Sequence, residues 1–222
     1  MNPRTLPIAA TALLLALAWV PECAAQKPGP RVRSRTAADQ ERKSAPGDFL
    51  DSRDASPSAY EQVSFFGQKA SGKVFVFVID CSGSMGDGRL ARAKSELRRT
   101  IASMRFPQQY LVIFYNDLAR VMPGGVPRSG DATSTARLEA WMSTVEAFGG
   151  TDPRSAMRTA LGIHPDAIFL LTDGEYPRGS AESINGQNTG PVPVHCIDLG
   201  DGSGAASLRA IATHSGGTYA GR

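Results

Sequence analysis

The 222-residue chain has only three cysteines and three histidines. No two of these six stand at the spacing of zinc ligands, which argues against a Cys/His metal centre. His164, His195 and His214 are scattered and read as structural or surface residues. Charge of one sign is also scarce: the net charge of +3 is too small to point to nucleic acid. Beyond the N-terminus no segment approaches the roughly 20 apolar residues that a membrane span requires. With 41% hydrophobic and 20% charged residues the chain is core-forming and not disordered. Its length suits one α/β domain with additional segments.

Residues 1–25 read as an export signal. Arg4 supplies a positive start, residues 7–20 are mostly apolar, and Cys23-Ala24-Ala25 places small residues at the −3 and −1 positions. Cleavage before Gln26 is expected, with an uncleaved N-terminal anchor as the alternative. Glu22 stands where a lipoprotein signal needs a small residue before Cys23. The mature chain then keeps Cys81 and Cys196. Export permits a disulfide, but the sulfurs meet only if their strands are adjacent. Two reduced, largely buried thiols are the expectation.

Residues 26–60 are of a different character. Pro28, Pro30, Arg31, Arg33, Arg35, Arg42, Lys43, Pro46 and Pro57 give a basic, proline-rich stretch with little hydrophobicity. A flexible linker is expected. The interspersed Asp39, Glu41, Asp48, Asp51 and Asp54 weaken a reading as a basic arm for anionic polymers or lipid. A domain is expected over residues 61–222. At its start Gly67 to Lys73 imitates a phosphate-binding loop, but Val74 replaces the required hydroxyl and the segment precedes a strand where it should follow one.

The organising stretch is Val-Phe-Val-Phe-Val-Ile-Asp-Cys-Ser-Gly-Ser-Met, residues 74–85. Its six-residue apolar run lacks polar alternation, so it fits a strand buried on both faces of a covered parallel sheet. Further strands are expected over 110–115, 167–171 and 192–199, with short ones at 119–122 and 218–220. Helical spacing predicts helices over 88–104, 131–148, 152–161 and 205–213. Val63, Phe65 and Phe66 are expected to cover an edge of the domain. Such alternation implies an α/β fold with a mostly parallel central sheet wrapped by helices.

Oxygen-bearing side chains cluster where strands end. Asp80, Ser82 and Ser84 leave the first strand, Thr151 follows Gly149-Gly150, and Asp173 ends the apolar run at 167–171. Ligand sites in open α/β sheets lie at the carboxyl ends of strands, so parallel strands bring these loops to one rim. An all-oxygen donor set selects a hard divalent cation, Mg²⁺ foremost, with Mn²⁺ or Ca²⁺ as alternatives, over zinc. Two carboxylates and three hydroxyls leave the shell of Mg²⁺ incomplete, so a carboxylate from outside has a place.

Asp80-x-Ser82-x-Ser84, Gly150-Thr151 and Thr172-Asp173-Gly174 together resemble the metal-ion-dependent adhesion site of von Willebrand factor type A domains, over residues 73 to 222. The resemblance implies a Rossmann-like sheet with helices on both faces and one short antiparallel edge strand. It also implies Ser82, Ser84 and Thr151 as hydroxyl ligands, Asp80 and Asp173 as direct or water-mediated ones, and a partner's acidic residue completing the shell. Asp152 is expected to support the site or cap the following helix.

Enzyme chemistry fits less well. Neither Ser82 nor Ser84 sits in a Gly-x-Ser-x-Gly elbow. A phosphatase or phosphotransferase using Asp80 wants a second carboxylate where Ser82 stands. Glu175 is the best candidate for a general base of a metal-assisted hydrolase. The expectation is a non-enzymatic, secreted or envelope-associated module that captures an acidic group of a protein through a divalent ion, with the Asp80 phosphotransferase as the alternative.

Overall fold

The computed structural model describes residues 62–174, 176–190 and 192–221. The expected signal and linker therefore lie outside the described residues, as does Glu175. A two-stranded hairpin, β1 (Val63–Phe65) and β2 (Gln68–Ala70), precedes the main sheet. The main sheet then builds from β3 (Val74–Asp80), α1 (Arg89–Ser103), β4 (Gln109–Tyr115), β5 (Ala119–Val121) and β6 (Arg128–Ser129). It continues through α2 (Ala132–Met142), α3 (Arg154–Leu161), β7 (Ala167–Thr172), α4 (Ser180–Gln187), β8 (Val194–Asp198), α5 (Ala205–Ser215) and β9 (Tyr219–Gly221).

Strand order is β5-β4-β3-β7-β8-β9, with β6 also pairing β4. β3, β4, β7, β8 and β9 run parallel, whereas β5 and β6 lie antiparallel on the outer side of β4. This is the expected mostly parallel α/β sheet with a short antiparallel edge. Successive residues of a strand face opposite sides, yet Phe75 to Asp80 and all of β7 are buried. Both faces are thus covered, which is why these strands carry unbroken apolar runs.

The chain passes from β3 to β4 on one side and later returns to β7 on the other. The carboxyl end of β3 is therefore the point where strand order reverses, the place where open α/β sheets bind ligands. Register keeps the three exits level: Ile79 pairs with Phe114 on one side and Leu171 on the other. An aromatic layer lies beneath one face. The Phe77 and Phe169 rings stack at 5.3 Å, and Phe65 from β1 meets both edge-on. α1 clasps the hairpin through Thr100 Oγ1, which donates to Ser64 O at 2.8 Å.

Two differences from the sequence reading have local causes. The helix expected over 131–148 stops at Met142. Ser143 and Thr144 turn their hydroxyls onto the carbonyls of Ala140 and Trp141, and Phe148 N–H pairs with Cys81 O at 3.0 Å. Side-chain bonds of this kind compete with the helical ladder. α4 was not expected, because Asn185 and Gly186 are poor helix formers; packing of Ala181 and Ile184 holds it.

β7 separates β3, which Cys81 directly follows, from β8, which carries Cys196, and both thiols are free and buried. Burial pushes the Cys81 thiol up to about 11 and that of Cys196 higher still. Since the thiolate is the nucleophile, neither is expected to react with iodoacetamide at pH 8 in the folded domain, and both react in denaturant. Peptide mapping checks this; rapid labelling of Cys81 in the native state would contradict its placement.

Candidate metal site

Asp80 is the last residue of β3 and is fully buried. Its Oδ1 accepts the Ser82 N–H at 2.7 Å, and its Oδ2 accepts Thr172 Oγ1–H from the end of β7 at 2.6 Å. Burial raises the Asp80 pKa above the usual carboxylate value; the bonds from Thr172 and Ser82 oppose the rise, and the nearby Asp173 charge adds to it. A turn over Gly83–Gly86 then carries Ser84 back across the rim. Ser82 Oγ and Ser84 Oγ lie 3.1 Å apart, and Ser84 Oγ donates to Asp173 Oδ1 at 2.7 Å. Four of the five expected ligands thus form one connected group, joining residues 89 positions apart in the chain.

Thr151 is brought to the same rim by the backbone of the residues that flank it. Gly83 N–H donates to Gly149 O at 3.0 Å, and Asp152 N–H to Asn116 O at 2.8 Å. Among the described residues, no hydrogen bond joins its hydroxyl to the other four. Asp152 caps the start of α3 from just before Pro153, as expected: its Oδ1 accepts the Arg154 N–H at 3.0 Å, and its carboxylate also chelates the Arg154 guanidinium at 2.6 to 3.1 Å.

Three framework residues escape a reading of the sequence. Asp117 accepts the Gly150 N–H at 2.9 Å and presses against the glycine pair so closely that a Cβ on Gly150 would lie 2.5 Å from its Oδ1. Gly149, at φ +78°, adopts a backbone conformation that side chains disfavour. Buried Asn116 ties the same loop to β4 through Nδ2, which donates to Phe148 O at 3.0 Å. Arg89, at the start of α1, donates from Nη1 to Ser84 O at 2.9 Å and to Asp173 Oδ2 at 3.2 Å. A cation in the first turn opposes the helix dipole, and that misfit is the one signal in the sequence that Arg89 has a partner. The β8 exit backs Asp173: a Cβ on Gly200 would collide with the Asp173 carbonyl.

The donor set fits a hard divalent cation. Two carboxylates and hydroxyls meet at one rim, and the mutual repulsion of Asp80 and Asp173 is part of what raises the Asp80 pKa. Among the described residues, no three His, Cys, Asp or Glu side chains cluster as metal ligands, here or elsewhere, so this rim relies on hydroxyls beside its two carboxylates.

Comparison with known proteins bears on the fold that carries this site. Residues 75–175 match the family model of the von Willebrand factor type A domain. Over that stretch the chain is similar to von Willebrand factor type A domains. The human inter-alpha-trypsin inhibitor heavy chain H4 is 26% identical over 165 residues, an alignment that covers 65% of this chain and 18% of that protein. This chain therefore spans less than a fifth of that relative. A von Willebrand factor type A structure from Catenulispora acidiphila superposes with a TM-score of 0.61 at 23% identity, covering 70% of this chain and 40% of that one. Proximal thread matrix protein 1 of the mussel byssus, solved with zinc in its MIDAS motif, superposes at 0.53 with 22% identity, covering 68% and 42%. At these identities the structures establish the shared fold.

Proposed function

We propose that this type A domain captures a carboxylate of a protein partner through a divalent cation held by Asp80, Ser82, Ser84, Thr151 and Asp173. The observation that carries the reading is the Asp80–Thr172 and Ser82–Ser84–Asp173 hydrogen-bonded group at the strand-order reversal. When bound, the cation supplies a positive centre with a coordination position for an outside oxygen, and Mg²⁺ suits an incomplete all-oxygen shell. The zinc in the mussel protein's MIDAS motif supports divalent binding by this fold. The chain's own residues hold the loops level, keep Asp80 dry and orient the Ser84 hydroxyl toward Asp173. Domains of this family serve as adhesion and protein-interaction modules, which supports a binding role over a catalytic one. The reading of residues 1–25 as an export signal supports a role outside the cytoplasm.

The alternative, an Asp80 phosphotransferase, has the geometry against it. Ser82 stands where that chemistry wants a second carboxylate, and its hydroxyl is paired with Ser84 at 3.1 Å.

The test is calorimetry with Mg²⁺ and Mn²⁺ on the parent and on Ser82→Ala/Ser84→Ala. Saturable heat is expected from the parent, and a loss on the order of a hundredfold in affinity from the variant. Crosslinked partner capture is expected to vanish with chelator in the parent and to be absent in the variant. Identical heats from the two proteins would remove the site.

A further inference from the structure

Among the described residues, four large apolar side chains are exposed: Phe106, Leu118, Val126 and Phe148. Leu118 and Phe148, 71% and 56% exposed, belong to the rim that carries the candidate metal ligands. Phe148 directly precedes Gly149-Gly150-Thr151, and Leu118 follows Asp117, which holds the Gly150 N–H. Neither lies on a slack loop. The one side chain of Asn116 fixes both, accepting Leu118 N–H on Oδ1 at 3.1 Å and donating from Nδ2 to Phe148 O at 3.0 Å. Asn116 N–H returns a bond to Leu118 O at 3.3 Å, and Phe148 N–H bonds Cys81 O, between Asp80 and Ser82, at 3.0 Å. The network that brings Thr151 to the rim therefore also holds two apolar side chains in water. That exposure gives the free domain no hydrophobic stabilisation, and covering the pair on binding recovers it.

Elsewhere on the same rim, the Arg89 guanidinium that bonds Asp173 offers charge complementary to an acid. The Arg89 side chain is 39% exposed, and among the described residues its hydrogen bonds leave from Nη1, to Ser84 O and Asp173 Oδ2. Its remaining nitrogens carry further N–H donors in the planar fork that matches a carboxylate. Acid-directed donors and a fixed apolar ledge thus border the same site.

We propose that the partner's contact element is an acidic side chain next to a large apolar one, with Leu118 and Phe148 covering the apolar neighbour. This rests on the carboxylate-capture reading above. The ledge sets which acids are accepted, because an acid flanked by glycine reaches the cation and Arg89 but leaves Leu118 and Phe148 in water.

Two acetylated, amidated tetrapeptides test it, one with glutamate followed by phenylalanine and the other with glutamate followed by glycine. Each is titrated into Mn²⁺-loaded parent and Leu118→Ser/Phe148→Ser domains. The parent is expected to bind the phenylalanine peptide about tenfold more tightly than the glycine one. The variant is expected to bind both alike, at the parent's affinity for the glycine peptide and with the parent's Mn²⁺ affinity. A parent that binds both equally and only with Mn²⁺ overturns this inference alone, as does a variant that keeps the preference. Sedimentation of the parent, but not the variant, with phosphatidylglycerol-containing vesicles, without any peptide preference, assigns the ledge to a lipid surface and overturns it too. A parent that does not bind Mn²⁺, or binds both peptides equally well in chelator, overturns the capture reading and this inference with it.

Discussion

Asp80→Asn is expected to abolish measurable Mg²⁺ and Mn²⁺ binding, a loss of more than about a hundredfold, while leaving the domain folded. Asparagine keeps the volume of Asp80 and an oxygen for the Ser82 N–H, and its amide group replaces the oxygen that faces Thr172. What disappears is one of the two negative charges at the rim. Without metal, that charge is a burden, since burial holds the Asp80 pKa above its ordinary 3.8. The sign follows from linkage. The folded chain holds its proton to higher pH than the unfolded chain does, so metal-free stability falls as pH rises through the interval between the two pKa values. In chelator at neutral pH, Asp80→Asn is therefore expected to melt at or above the parent's temperature. In saturating Mg²⁺ the order inverts, because only the parent gains stability from binding. Scanning calorimetry with and without Mg²⁺ reads both signs. An equal Mg²⁺-induced rise in the two proteins would show that Asp80 is not part of the ion's shell.

The parts of the site that were legible in the sequence are those whose signal is local. The apolar run into Asp80 and the run into Thr172-Asp173 each state a buried strand and its end, and parallel pairing then forces both ends to one rim. Asp80, Ser82 and Ser84 stand close enough together to read as a unit. The framework was not legible, because its meaning lies between distant positions. Asp117 matters only because Gly150 is packed against it, 33 residues on. Asn116 is an unremarkable strand-end amide until Phe148 and Leu118 are seen on either side of it. Arg89 is one of five cations on α1, and its Asp173 partner is 84 positions away. The early stop of α2 had the same origin: 145–148 follow helical spacing, but the pairing of Phe148 with Cys81 draws that segment into the site.

Phe169→Ala is expected to cost about 3–5 kcal/mol of stability, out of a total on the order of 5–15 kcal/mol for a domain. Phe169 is fully buried at the middle of β7, in register with Phe77 on one side and His195 on the other. Its ring stacks on Phe77 at 5.3 Å with an interplanar angle of 9°, meets Phe65 edge-on at 5.8 Å, and approaches Phe75 at 6.4 Å and His195 at 5.3 Å. Rings on both flanking strands and on the hairpin lose a neighbour at once, and strands held by ladder bonds on both sides cannot close in to fill the space. Urea unfolding is the measurement, with a fall in midpoint of roughly 1 M or more given a slope of about 1–3 kcal/mol/M. Phe169→Leu, which fills most of the space, is expected to lose distinctly less; equal losses would mean that ring contacts and not volume dominate. A loss below about 1 kcal/mol would show that the aromatic layer does not anchor the sheet. Because Thr172 and Asp173 leave the same strand one turn of pleat beyond this packing, the molecules that remain folded are expected to bind Mg²⁺ nearly as the parent does. Asp80→Asn and Phe169→Ala then separate along opposite axes, one removing the ion and sparing the fold, the other weakening the fold and sparing the ion.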